Sequence, residues 1–143
     1  MVHQLDVRTS AARCIDLPGS GSFQRGITWA LELAPNGKTL WAVNPAFGRV
    51  VGIDVASRKI RVAFRFRPAG FTGSTLVSSV SAISPDGARI AVGTGGRIFH
   101  VSLAHRTVVE GAPHSAIALG YAPDAATLWV VGKGEQVSAL PAL

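Results

Sequence analysis

The chain holds one cysteine, Cys14, in 143 residues. One thiol excludes an internal disulfide and any cluster of cysteine ligands around a metal. No base stands near Cys14 in sequence to make it a nucleophile, and the preceding Ala11, Ala12 and Arg13 are not the apolar segment that a lipoprotein anchor site follows. The expectation is a small, buried hydrophobe in a strand. Long apolar runs are also missing. Stretches such as 39–43 and 49–55 fall far short of the ~20 residues a membrane-spanning helix needs. Residues 1–8 show no basic start followed by an apolar stretch, so no secretory signal is visible. The compartment stays open, because a longer form with an upstream signal would be extracytoplasmic.

Acidic residues are scarce. Eight Asp and Glu stand against fourteen Lys and Arg, for a net charge of +6. Few carboxylates means few candidates for acid–base catalysis or for a hard metal ion. A basic excess can draw nucleic acid, anionic lipid or an acidic partner. Hydrophobic residues make up 48% and charged residues 15%, which excludes the disordered class. The length is enough for one domain with its own core.

What is present is repetition. The run from Leu33 through Pro35, Asn36, Gly37 and Leu40 to Val43 returns from Ile83 through Pro85, Asp86, Gly87 and Ile90 to Gly93. It returns again from Tyr121 through Pro123, Asp124, Ala125 and Leu128 to Val131. Each copy reads apolar, small, Pro, Asn or Asp, usually Gly, then a β-rich run. A second landmark follows each copy: Gly52, Ile53, Asp54 matches His100, Val101, Ser102. Further copies are read at Leu5, Asp6 and at Ala139, Leu140, so that Leu5, Ile53, Val101 and Ala139 lie 48, 48 and 38 residues apart. Repeats of this length are supersecondary units that bury their faces only by stacking.

Each unit reads as four strands. First strands are placed at 28–33, 76–83 and 115–121, and second strands at 39–43, 89–92 and 127–131. Third strands are placed at 49–55, 97–103 and 135–140, and fourth strands at 59–66 and 107–110. Residues 2–5 and 13–17 supply a third and fourth strand alone. The apolar runs are short, rich in Val and Ile and bounded by turn residues, and no window keeps a helical stripe. The expected fold is all-β: radially arranged antiparallel four-stranded sheets, a partial β-propeller. It would form one unit over 1–143, with a half blade at 1–17, blades at 27–67 and 75–112, and an incomplete blade at 115–143. Closed propellers have about four to eight blades. A partial ring leaves apolar blade faces unsatisfied at both ends, which invites self-association or pairing with missing blades.

The Pro-Asn-Gly turn at 35–37, the strand at 38–43 and the Gly, Ile, Asp, Val run at 52–55 resemble the YVTN-type β-propeller repeat, a relative of WD-type repeats. The resemblance covers nearly the whole chain except loops 18–26 and 68–74. It implies a propeller, and it implies no catalytic residue, because the matching positions are structural. Such rings include surface proteins, binding modules, lactonases and quinoprotein dehydrogenases. Ala125 departs from the pattern at the turn glycine, and Ser102 and Leu140 depart at the third-strand Asp.

Candidate functional residues are weighed against their structural roles. Asp86 and Asp124 belong to turns, and Asp6 and Asp54 to a repeated hydrogen-bonding position. Glu32 lies in a first strand, which lines the central channel of a propeller. It is either a channel-facing ligand contact or a solvated or paired carboxylate. Its counterparts are Ala82 and Gly120, so no ring of carboxylates exists. His3, His100, His105 and His114 show no metal-ligand spacing. Residues 73–79 lack a nucleophile elbow. The glycines near 93–96 precede no helix, so no phosphate cradle is expected. No catalytic, cofactor or metal residue is assigned.

The charge pattern at 58–67 alternates. Ile60, Val62, Phe64 and Phe66 take one face, and Lys59, Arg61, Arg65 and Arg67 the other. This is a fourth strand at a blade's outer edge, where charge blocks sheet-to-sheet pairing. An anion-binding stripe is the other reading. Nucleic acid is disfavoured, because the aromatics point away from the bases. Trp41 and Trp129 share a repeat position, with Ala91 between them, and are expected to pack between blades. The hairpin at 44–48, with Pro45 and Phe47, and the loop at 67–74, with Arg67 and Phe71, are insertions that can bind a partner. Three classes follow, in this order: a non-catalytic scaffold for an unknown protein or small ligand, a fragment of a propeller enzyme whose site needs other blades, and a polyanion-binding module.

Overall fold

The computed structural model describes residues 2–18, 29–66, 79–111 and 113–143. Its thirteen strands are β1 (Val2–Asp6), β2 (Ala11–Ile15), β3 (Ala30–Leu33), β4 (Thr39–Asn44), β5 (Arg49–Asp54), β6 (Ile60–Arg65), β7 (Val80–Ile83), β8 (Arg89–Thr94), β9 (Arg97–Ser102), β10 (Thr107–Glu110), β11 (Ala116–Tyr121), β12 (Thr127–Gly132) and β13 (Val137–Pro141). Among the described residues no helix occurs. The strands form four antiparallel sheets, ordered β1-β2, β3-β4-β5-β6, β7-β8-β9-β10 and β11-β12-β13. Neighbours in each sheet are neighbours in sequence, because a short turn can only return the chain beside the strand it left.

The repeat is visible in the hydrogen bonds. Ala34, Ser84 and Ala122 each donate an N–H to the residue five positions on, Thr39, Arg89 and Thr127, at 2.8–2.9 Å. Gly37, Gly87 and Ala125 each donate back to Ala34, Ser84 and Ala122. The side chains of Asn36, Asp86 and Asp124 each accept the N–H two residues on, from Lys38, Ala88 and Ala126, at 2.9–3.0 Å. This bond is why Asn and Asp recur there: a short acceptor caps a backbone donor inside the turn. Gly37, Gly87 and Ala125 all have positive φ (69°, 70° and 58°), so Ala125 holds a conformation that suits glycine. A second turn recurs before each fourth strand, with Ser10, Arg58 and Arg106 at φ of 53–59°.

The core lies between sheets. One cluster joins Ala30, Val43 and Val50 of the second sheet to Ile90, Val92 and Val101 of the third. Another joins Ala91 and Ile98 of the third to Leu128 and Val130 of the fourth. A third packs Val2 and Ile15 of the first onto Ala42, Val51 and Ile53. The central strands of the second and third sheets therefore feed two clusters by alternation: in β4, Leu40 and Ala42 point to one neighbour, Trp41 and Val43 to the other. Innermost strand β7 lies against both β3 and β11. The sheets thus fan out from a line of first strands, and the fan does not close.

Two sequence expectations are corrected. Cys14 lies in a strand, as expected, but is exposed, because β2 is the outer strand of a two-stranded sheet and residues 11–14 stay accessible to solvent. The C-terminal repeat is out of step by one residue. Leu40 pairs with Ile53, Ile90 with Val101, and Leu128 with Leu140, while Ala139 sits opposite Trp129. The hairpin is longer than read, with Gly132 N–H bonded to Gln136 O at 2.8 Å. A slip of one residue exchanges the faces of a strand, so Leu140 packs on the core cluster and Ala139 does not. Pro141, opposite Thr127, therefore stands where Asp54 and Ser102 stand.

Candidate functional site

Antiparallel strands place their connections alternately at two ends of each sheet. At one end lie the repeated turns 34–38, 84–88 and 122–126, built alike three times. The opposite end carries the hairpins between second and third strands, and these differ in every sheet. In the first, Asn44 and Pro45 are fully buried, and Asn44 Oδ1 accepts the N–H of Phe47 at 3.0 Å. Phe47 is half-buried and meets the Trp29 ring at 6.4 Å between centroids, tilted 46°. Gly48, at φ 61°, accepts the N–H of Phe66 where the chain leaves β6. In the second hairpin, Gly95 and Gly96 take positive φ, and Arg97 forms a 2.9 Å ion pair with Glu110. The third hairpin presents exposed Lys133 and Gln136 beside a shallow cavity of about 210 Å³ that His114, Ser115 and Val130 also line.

The structure separates the sequence candidates. Phe47 sits at the variable end with part of its ring accessible, while Pro45 is enclosed and can only hold the hairpin's shape. Arg61 and Arg65 are exposed on β6, the outer strand of its sheet, while Val62, Phe64 and Phe66 turn inward. The alternation is the expected one from Arg61 to Phe66, while Ile60, expected on the inward face, is exposed beside a bulge in the β5–β6 pairing. Arg65 lies directly opposite Arg49 in the ladder, a like-charge pair that an anion would relieve. Glu32 lies on β3 and accepts a hydrogen bond from Ser81 Oγ of the next sheet at 2.6 Å. Arg67 and Phe71 lie outside the described residues.

The carboxylates of the repeated turns have structural partners. Asp54 accepts from the backbone and the hydroxyl of Ser57, and these bonds hold its carboxyl below the usual carboxylate range. Asp86 is likewise lowered, first by Ser84 Oγ and then by Ala88 N–H. His100 is buried on β9 while His105 is exposed in the turn, so the two do not converge. Among the described residues no group of three His, Cys, Asp or Glu is placed to hold a metal.

A polar layer between the third and fourth sheets was not legible as a site. Arg89 donates to Ala125 O at 2.6 Å and to Ala142 O at 3.2 Å, and its guanidinium lies 6.0 Å from the centre of the Tyr121 ring. Burial pushes the Tyr121 hydroxyl up to about 12. Burial, then Arg89, lowers His100. The available signal was a break in the repeat: Arg89 stands where the other copies have Thr39 and Thr127, and Tyr121 where they have Leu33 and Ile83.

Sheets that fan from an inner line of first strands, with repeated turns at one end and variable hairpins at the other, define part of a β-propeller. Solved structures with this arrangement include Kuenenia stuttgartiensis hydrazine synthase, with a TM-score of 0.62 and 18% identity over 90% of this chain and 36% of that one. U3-55K and the WD40 repeats of RRP9 each give a TM-score of 0.60 and 16% identity, covering 85% of this chain and 37% of theirs. At such identities the likeness establishes the fold alone, and this chain spans little more than a third of each. No family model and no curated protein matches the sequence. No helix among the described residues is long and apolar enough to cross a membrane.

Proposed function

We propose that this chain is part of a YVTN-type propeller and serves as a non-catalytic scaffold that binds a protein or small ligand through the variable end of its sheets. The supporting observation is the contrast between the two ends. One is fixed by the same hydrogen bonds three times over, while the other carries a different hairpin in each sheet. A rigid frame with variable loops at one end is how binding residues are usually presented. Phe47, Lys133 and the cleft beside Gln136 are the contacts this reading selects; the sequence candidates Arg67 and Phe71 belong to the same proposal but lie outside the described residues. Glu32 is assigned the paired-carboxylate role, bonded to Ser81.

The test compares the two ends. A partner captured by the wild-type chain should be lost from Phe47→Ala and Lys133→Glu and kept by Lys38→Ala and His105→Ala, at the repeated-turn end. Loss from the second pair, with the first pair unaffected, overturns the reading. The Arg49–Arg65 juxtaposition favours a second reading, a polyanion contact along β6. Retention of the chain on heparin that weakens steeply with salt and is lost in Arg61→Ala/Arg65→Ala would support it. Flow-through at low salt removes it.

A further inference from the structure

Two neighbouring gaps between sheets are built from the same repeat positions and end differently at the outer rim. Between the second and third sheets the rim is filled: Val62 is half-buried, and Phe64 and Val108 pack on the apolar cluster there. Between the first and second sheets the counterparts follow from the ladders. Ile15 lies opposite Val2 as Phe64 lies opposite Val50, so Arg13 holds the place of Val62. Ile60 lies opposite Ile53 as Val108 lies opposite Val101, so Ile60 holds the place of Val108. Ile15 packs on the second sheet, and alternation turns Arg13 to the same side. The rim of this gap stays open as a cleft of about 480 Å³, and Ile60 on its wall is 39% exposed.

Cations gather on that cleft. Arg13 comes from β2, and Arg58 and Lys59 from the turn before β6, so the three converge from two sheets. Asp16 is the one acid on the wall, which leaves three positive charges against one negative. Among the described residues no carboxylate pairs with any of the three cations. Because β2 is the outer strand of its sheet, a strand preceding β1 would pair on the far side of β1 from the cleft. We infer that this cleft binds a small organic anion carrying a phosphate or several carboxylates, its oxygens held by Arg13, Arg58 and Lys59.

Charge and size select that class. Guanidinium groups present paired donors that match the oxygens of a phosphate or carboxylate, and an ammonium adds a point charge. Like charges brought together repel one another, and a multivalent anion relieves all three at once. A cleft of this volume suits a small molecule rather than a polymer, and Ile15 and Ile60 offer its carbon skeleton apolar contact. The break in the repeat points the same way: an arginine in place of a half-buried valine opens a gap that apolar packing closes one sheet further on. Neither the variable hairpins nor Arg49, Arg61 and Arg65 line the cleft, so this inference and both readings of function can fail separately.

Nuclear magnetic resonance titration of the chain at low salt with pyrophosphate, and separately with citrate, tests the inference. Amide shifts at 13–16 and 57–60 should saturate with either probe, and the tighter of the two tells phosphate from carboxylate recognition. Arg13→Val, which restores the filler of the next gap, should weaken binding by about tenfold or more, the loss expected for a charge-assisted hydrogen bond. Arg58→Gly should do the same, and glycine suits the left-handed backbone there, φ 59°. A folding defect in one variant, read from circular dichroism melts, leaves the other to decide. Asp16→Asn should tighten binding, while Arg61→Ala/Arg65→Ala should change it by less than about twofold, since solvent and salt screen charges outside the cleft. Absence of saturation with both probes, shifts spread evenly over every basic strand, or undiminished affinity in folded Arg13→Val or Arg58→Gly overturns the proposal.

Discussion

Three turn positions with one backbone conformation offer a controlled comparison at the scale of single residues. A non-glycine residue in the left-handed region costs about 1–2 kcal/mol. Gly37 has open space around the site of a Cβ, so Gly37→Ala should cost about 1 kcal/mol, the conformational part alone. At Gly87 a Cβ would stand 3.2 Å from Pro35 Cδ, so Gly87→Ala should cost more, about 2 kcal/mol. Ala125→Gly should stabilise by about 0.5 kcal/mol, the strain relieved less the extra freedom glycine gains when unfolded. Urea denaturation of the three variants checks the order. His100 supplies a pH dependence. Its folded pKa is lowered by burial, so the unfolded chain binds the proton more readily. Its contribution is intact above the ordinary histidine value of about 6.5 and declines as pH falls below it. Thermal melts between pH 7.5 and 5 should show this decline, and His100→Gln should flatten it.

Cross-strand pairs balance size at the scale of the element. Trp41 faces Gly52, Ala91 faces His100, and Trp129 faces Ala139. A large ring is admitted where its partner is small, since two sheets pack at a nearly fixed spacing. Trp41→Ala empties a covered position and should cost about 3 kcal/mol. Trp129→Ala removes a ring that is half in water within one chain, and should cost under about 1 kcal/mol at concentrations where the chain is monomeric. Equal costs would show that the two sites are equivalent in surroundings as well as in sequence. The repeat position of the tryptophans, the Pro-Asx turns and the alternation from Arg61 to Phe66 were legible, because each is a local or period-two signal; the exposure of Trp129 and Ile60 was not. The one-residue slip at Ala139 was not. Register there depends on how many residues the hairpin before it consumes, and the composition of residues 132–136 does not fix that number.

Sheets are held to one another mainly by apolar contact at the scale of the whole molecule, with polar contacts among the described residues at Ser81–Glu32 and at Arg89. Arg89 reaches from the third sheet to two carbonyls of the fourth. Arg89→Met keeps much of the packing and leaves Ala125 O and Ala142 O without this donor. Hydrogen exchange should then quicken in β11–β13 by about tenfold, the equivalent of one charged hydrogen bond, with little change in β3–β6. Uniform acceleration across all sheets would mean that the fan opens as one unit.

The sequence by itself determined the strands, their order and the repeated turns, because strand periodicity and turn chemistry act over a few residues. Tertiary structure alone decided which repeat positions are covered. Trp41 and Trp129 read alike, and one is packed while the other meets solvent, because a sheet face is buried by its neighbour in the fan. The same reason explains Cys14, placed correctly in a strand yet exposed because that strand is the outer one of a two-stranded sheet. It explains Arg89 as well, whose carbonyl partners lie 36 and 53 residues away in the chain and are brought within reach only when sheet stacks on sheet.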